Sequence, residues 1–152
     1  MTNGRSTFLV DTNVLVYGYD PRDPVKQQLT IELTQELVSA RRGWVSTQVL
    51  GEFFNTLTRK LPVPLTPAAA EREVRRIISA WNVVDLTAAI VLDAVTGVQR
   101  YQLSYWDALI WAAARSQHIR YVLSEDFNDG ADLGGVRFLN PFAPHFDLAQ
   151  VL

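Results

Sequence analysis

The chain has 152 residues, with 14 lysine and arginine residues against 16 aspartate and glutamate residues, and a formal net charge of −2. It has no cysteine, which excludes a disulfide scaffold, a cysteine-ligated zinc site and a cysteine nucleophile. No apolar run approaches the ~20 residues of a membrane span, and Phe8–Val10 is too short for a signal-peptide core. We expect one domain over residues 1–152 in a soluble, cytoplasmic protein, because about 100–200 residues make one domain.

Short apolar strands alternate with helical segments along the chain. The pattern predicts five strands, at Thr7–Val10, Trp44–Ser46, Val83–Asp85, Tyr121–Leu123 and Val136–Leu139. It predicts helices at 14–17, 24 to about 42, 48–60, 67 to about 81, 88 to about 102 and 105 to about 117. Gly43 is expected to end the second helix, and Asn140-Pro141 to close the regular part. This alternation predicts a three-layer α/β/α fold with a central, mostly parallel five-stranded sheet.

Acidic residues follow two of the predicted strands. In a doubly wound sheet, ligands bind beyond the carboxyl ends of the strands, where the strand order reverses. Asp11 directly follows the first strand, although it also fits a helix N-cap. After the fourth strand, turn chemistry is the competing interpretation. Three acids stand there, so the assignment stays open, with Asp126 as the first candidate and Asp129 as the second.

Two helical acids complete the candidate set. Asp107 shares a helix face with apolar residues at i+3, i+4 and i+7, where a carboxylate needs a compensating partner such as a metal ion. Ser104 and Asp107 also fit a capping box, which would explain the residue type alone. Glu52 lies on the polar side of its helix, where a solvated position is the simpler interpretation. Gly51 beside it removes side-chain bulk and would allow a close approach.

Four clustered carboxylates would repel one another unless a divalent cation lay among them. Oxygen ligands suit Mg²⁺ or Mn²⁺ rather than zinc. We therefore interpret four acids as catalytic and metal-ligating, with Asp129 as the alternative to the last of them: Asp11, Glu52, Asp107 and Asp126. Such a cluster is typical of metal-assisted phosphodiester hydrolysis, in which the ion activates a water and neutralises phosphate charge, so that no protein nucleophile is needed.

Five segments, in order along the chain, resemble a known family. They are Phe8–Tyr17, Tyr19–Pro24, Ser46–Phe53, Ser104–Ile110 and Leu123–Phe127. They are similar to the PIN domain and, within it, to the VapC-type toxin ribonucleases of prokaryotic toxin–antitoxin pairs. The tail after Asn140 lies outside the matching pattern.

The resemblance implies a Mg²⁺- or Mn²⁺-dependent endoribonuclease acting on RNA, a homodimer, and a cognate antitoxin that inhibits it. It implies the same acids as metal ligands, with Asn13 and Ser124 in supporting positions. Four tryptophans and an aromatic tail give more large apolar groups than a small sheet obviously needs, which adds to the expectation of a homodimer.

Individual residues argue against two other enzyme or signalling functions. A haloacid-dehalogenase-like phosphatase also carries an aspartate after its first strand, but it needs a second one where this chain has Asn13. It also needs a late lysine, as a response-regulator receiver does, and this chain has only Lys26 and Lys60. A PIN-fold module that binds or processes RNA outside a toxin–antitoxin pair stays open, although the intact acidic set favours an enzyme.

Overall fold

The computed structural model describes residues 5–152, in which a twisted sheet lies between two layers of helices. The strands are β1 (Phe8–Val10), β2 (Gly43–Ser46), β3 (Asn82–Val84), β4 (Tyr121–Leu123), β5 (Asp132–Leu133) and β6 (Val136–Leu139). The helices are α1 (Thr12–Tyr17), α2 (Pro24–Ala40), α3 (Thr47–Arg59), α4 (Pro67–Ala80), α5 (Ala88–Tyr101), α6 (Tyr105–Ser116) and α7 (Leu148–Val151). The predicted three-layer α/β/α fold is confirmed.

The sheet has six strands in the order β3-β2-β1-β4-β6-β5. The five predicted strands all form and pair in parallel, and β5 alone is antiparallel, against β6. The sequence does not reveal β5, because two residues carry no periodicity. Its hairpin with β6 turns through Gly134 and Gly135, which have φ values of 57° and 91°. These left-handed conformations favour glycine.

The strand order reverses at β1, in the middle of the sheet. The strands of the first half, β2 and β3, lie on one side of β1, and β4 lies on the other. The backbone N–H of Asp11 continues the ladder by donating to the carbonyl of Leu123 at 2.9 Å. The carboxyl ends of β1 and β4 therefore adjoin, which is the arrangement that opens a crevice at this edge of the sheet.

Two predicted boundaries are wrong. Helix α2 ends at Ala40 rather than at about Arg42, and Arg41 instead of Gly43 takes the left-handed capping conformation, with a φ of 56°. Gly43 instead begins β2, where a Cβ atom would lie 2.6 Å from the ring of Trp81. This glycine therefore reflects close packing rather than a helix end. The regular part also continues past Asn140-Pro141, because α7 forms there and its Leu148 is buried.

The core is continuous across the sheet. All three residues of β1 are fully buried, as expected for a central strand with helices on both faces. Trp111 on α6 is also buried, and its indole N–H donates to the carbonyl of Leu133 at 2.9 Å. In the part of the chain that the structure describes, no helix has both the length and the apolar character needed to cross a membrane.

Gly97 and Gly51 form a matched pair of helix-interior glycines, in α5 and α3. A Cβ atom at Gly97 would lie 2.8 Å from the Trp111 ring, whereas at Gly51 nothing lies within 4 Å. We expect Gly51→Ala to raise the free energy of unfolding by about 0.5–1 kcal/mol, because alanine favours helix. Gly97→Ala should lower it by about 1–3 kcal/mol through overpacking. Urea unfolding measures both, and equal effects would show that Trp111 does not restrict α5.

Candidate active site

A cavity of about 500 Å³ opens where the carboxyl ends of β1 and β4 meet. Its lining includes the four acids that the sequence singles out first: Asp11, Glu52, Asp107 and Asp126. Two of them come from strand ends and two from helices, so residues more than 100 positions apart in the chain share one opening. The remaining candidate, Asp129, is not in the lining.

Asp11 is the most buried of these acids, with 8% of its surface exposed. Its carboxylate accepts hydrogen bonds from the backbone N–H of Thr12 at 2.7 Å and from the Ser124 hydroxyl at 2.9 Å. Burial raises the pKa of Asp11 to about 6, the hydrogen bonds oppose this shift, and repulsion from Glu52 and Asp126 adds to it. The fold therefore places this carboxylate where its charge is disfavoured.

The residues after Asp11 tie it to two of the other acids. The Thr12 hydroxyl donates to Oε2 of Glu52 at 2.8 Å, and the Asn13 amide donates to Oδ2 of Asp126 at 2.8 Å. Because both donors begin α1, one turn of backbone fixes the spacing of three carboxylates. The sequence gives no direct signal for Thr12, since a threonine at a helix start is more often structural.

Glu52 lies on the exposed side of α3 and still faces the cavity. Ser46 caps this helix by accepting from the backbone N–H of Val49, and the apolar face that follows is buried. The side-chain amide of Gln48 donates to Oε1 of Glu52 at 2.9 Å. With Thr12 on the other oxygen, both carboxylate oxygens of this exposed residue are oriented.

Asp107 lies in the first turn of α6 and is half-buried at the cavity wall. Its backbone N–H donates to the Ser104 hydroxyl at 3.2 Å, so the predicted cap forms. The next seven residues of α6 are all buried. The capping interaction and the position at the cavity therefore coexist in one residue.

The other two acids after β4 point away from the cavity. Glu125 accepts from the hydroxyl of Tyr17 at 2.8 Å and pairs with the ammonium of Lys26. Oδ2 of Asp129 lies 2.7 Å from Nε2 of His145, and its Oδ1 accepts from the backbone N–H of Asn140 at 2.9 Å. The two candidates therefore have different surroundings: Asp129 contacts the tail, whereas Asp126 lines the cavity and accepts from Asn13.

The donor set suits a hard divalent cation. Among residues 5–152, none of the four cavity acids makes a salt bridge, and Lys60 is the one cationic residue in the lining. No three acidic or histidine side chains in that range are already arranged around a common point. Mg²⁺ does not require three, since it usually keeps several waters and takes one or two carboxylates. The residues present fit such an ion.

Comparison with known proteins identifies the type of domain. Residues 8–128 match the family model of the PIN domain. No curated protein matches the sequence.

Solved structures share the fold at low sequence identity. A toxin–antitoxin complex from Klebsiella pneumoniae is 20% identical, with 90% of this chain and 98% of that chain covered and a TM-score of 0.64. The sarcin-ricin loop cleaving toxin VapC20 of Mycobacterium tuberculosis is 20% identical, with coverages of 79% and 90% and a TM-score of 0.60. DNA-bound VapBC from Salmonella typhimurium is 18% identical, with coverages of 88% and 96% and a TM-score of 0.63.

The raised pKa of Asp11 makes stability depend on pH. The folded protein holds this proton more tightly than the unfolded chain, so the stabilisation is complete below about pH 4 and is lost as the pH rises through about 6. This pKa shift corresponds to a change of about 3 kcal/mol in the free energy of unfolding between the two pH limits. In EDTA, Asp11→Asn should therefore raise the free energy of unfolding at about pH 8 and change it much less at about pH 4. Urea unfolding at both values measures this, and a pH-independent difference would contradict a buried, unpaired charge.

Proposed function

The chain belongs to the PIN domain family, and we propose that it is a Mg²⁺- or Mn²⁺-dependent endoribonuclease that hydrolyses RNA phosphodiester bonds. The observation that carries the proposal is the convergence of four carboxylates, without a cationic partner among residues 5–152, on one cavity. The similarity to VapC20, a sarcin-ricin loop cleaving toxin, supports the choice of RNA as the substrate.

Each residue has a separate task in this proposal. Of Asp11, Glu52, Asp107 and Asp126, one or two would bind the ion directly and the others through its water ligands. When bound, a divalent cation lowers the pKa of a water and neutralises charge on the phosphate. Thr12 and Asn13 orient two of the carboxylates by the hydrogen bonds described above, and Ser124 orients the buried one. Lys60 supplies a positive charge at the cavity for a substrate phosphate.

We further propose that this enzyme is the toxin of a type II toxin–antitoxin pair, active in the cytoplasm as a homodimer and inhibited by a cognate antitoxin. The Klebsiella and Salmonella structures, both toxin–antitoxin complexes that cover most of this chain, support this assignment. The alternative is a PIN-domain protein that binds or processes RNA outside such a pair. Cleavage of RNA by the purified chain would exclude a module that only binds.

Asp126 and Asp129 provide a matched pair of variants, because they stand three residues apart after the same strand. Asp126→Asn should lower the rate of Mn²⁺-dependent RNA cleavage by more than about tenfold, since even indirect changes at metal sites cost about 10–100-fold. Asp129→Asn should keep nearly the full rate, because its carboxylate contacts the tail instead. Cleavage of a labelled single-stranded RNA by both proteins measures the difference.

Thermal unfolding of both variants controls for folding. The reverse order of rates would assign the fourth position to Asp129. Equal, full activity of Asp126→Asn would remove this residue from the site and weaken the four-carboxylate proposal directly.

A further inference from the structure

Trp106 is an exposed tryptophan at the wall of the candidate active site. It is 63% exposed, lines the cavity and directly precedes Asp107. The ring of Tyr105, which packs against the core, contacts it edge-on, with ring centroids 5.1 Å apart and planes at 69°. By contrast, Trp111 one turn and a half later is 2% exposed. The helix thus holds one indole in the core and supports another in the open.

The acidic lining of the cavity favours an uncharged group for binding a nucleotide. Four acids and one lysine line the opening, so the formal charge of its lining stays negative even with one divalent cation bound. Electrostatic attraction therefore contributes little to holding a nucleotide near the carboxylates. Stacking of a base on an aromatic ring is insensitive to this charge and tolerates every sequence, because all bases have a π-face.

We propose that Trp106 is the stacking platform for a nucleobase of single-stranded RNA adjacent to the scissile bond. This inference rests on the proposed ribonuclease function and deepens it by assigning a residue that positions the substrate. The base would lie on the indole while Lys60, in the same lining, contacts a neighbouring phosphate. Bases inside a duplex are already stacked and paired, so a continuous RNA duplex cannot use this platform.

The test measures the binding of fluorescein-labelled oligouridylate of about twelve nucleotides by anisotropy, in EDTA so that no cleavage occurs. Trp106→Ala should raise the dissociation constant by about five- to a hundredfold, and Trp106→Phe should stay within about threefold of the native protein. Neither variant should change the salt dependence, because neither removes a charge. Lys60→Gln, the control, should reduce the slope of log K against log salt by about 0.7–1.

Binding of an RNA duplex and the molar mass of the protein test two other roles for Trp106, namely general RNA binding and contact with a second copy of the chain. Trp106→Ala should leave the weak binding of a blunt RNA duplex unchanged. Unchanged binding of oligouridylate by Trp106→Ala would overturn the inference, as would an equal loss on the duplex. A molar mass of Trp106→Ala in light scattering that differs from that of the native protein would also overturn it, because the indole would then contact a second copy of the chain. If the native protein neither binds nor cleaves RNA, the proposed function itself fails, whereas normal cleavage by Trp106→Ala with unchanged affinity rejects the platform alone.

Discussion

The buried carboxylate of Asp11 is the constraint around which the candidate site is organised. It stands at the end of a fully buried central strand, and burial raises its pKa to about 6. Neutral donors, the Thr12 N–H and the Ser124 hydroxyl, satisfy its oxygens without balancing its charge. Repulsion from Glu52 and Asp126 makes the charged state less favourable still. A divalent cation would offset both the cost of burying the Asp11 charge and the repulsion between the carboxylates, and the cavity has room for one.

The sheet topology explains why distant residues meet at this carboxylate. The strand order reverses at β1, so the chain leaves β1 and β4 on the same edge and in opposite directions. The side chains that begin α1 then span the gap, with Thr12 on Glu52 and Asn13 on Asp126. Packing supports this geometry from behind, since the residues of α6 that follow Asp107 are buried. Glu52 and Asp107 therefore project from helices α3 and α6, whereas Asp11 and Asp126 follow strands β1 and β4.

The sequence predicts the parts of the fold that have a strong local signal. Alternating strands and helices yield all five parallel strands, and the position directly after a buried strand marks Asp11. The role of Gly43 is not predictable from the sequence, because it depends on close packing against the Trp81 ring. Strand β5 is not predictable either, because it has only two residues. The different surroundings of Asp126 and Asp129 could not be predicted, because the residues that contact Asp129, His145 and Asn140, lie more than ten positions away in the sequence. The role of Thr12 is not predictable because its hydrogen-bond partner, Glu52, lies 40 positions away in the sequence.

Locating a bound ion would show whether the four carboxylates form one divalent-cation site. The measurement is anomalous scattering from crystals of the native protein grown with Mn²⁺. We expect a peak inside the cavity, with a carboxylate oxygen of Asp11 among its ligands and at least one of Glu52, Asp107 and Asp126 bound directly or through water. A cavity without a peak at saturating Mn²⁺, or an ion held by Asp129 and His145 while Asp11 has none, would contradict a site built on Asp11.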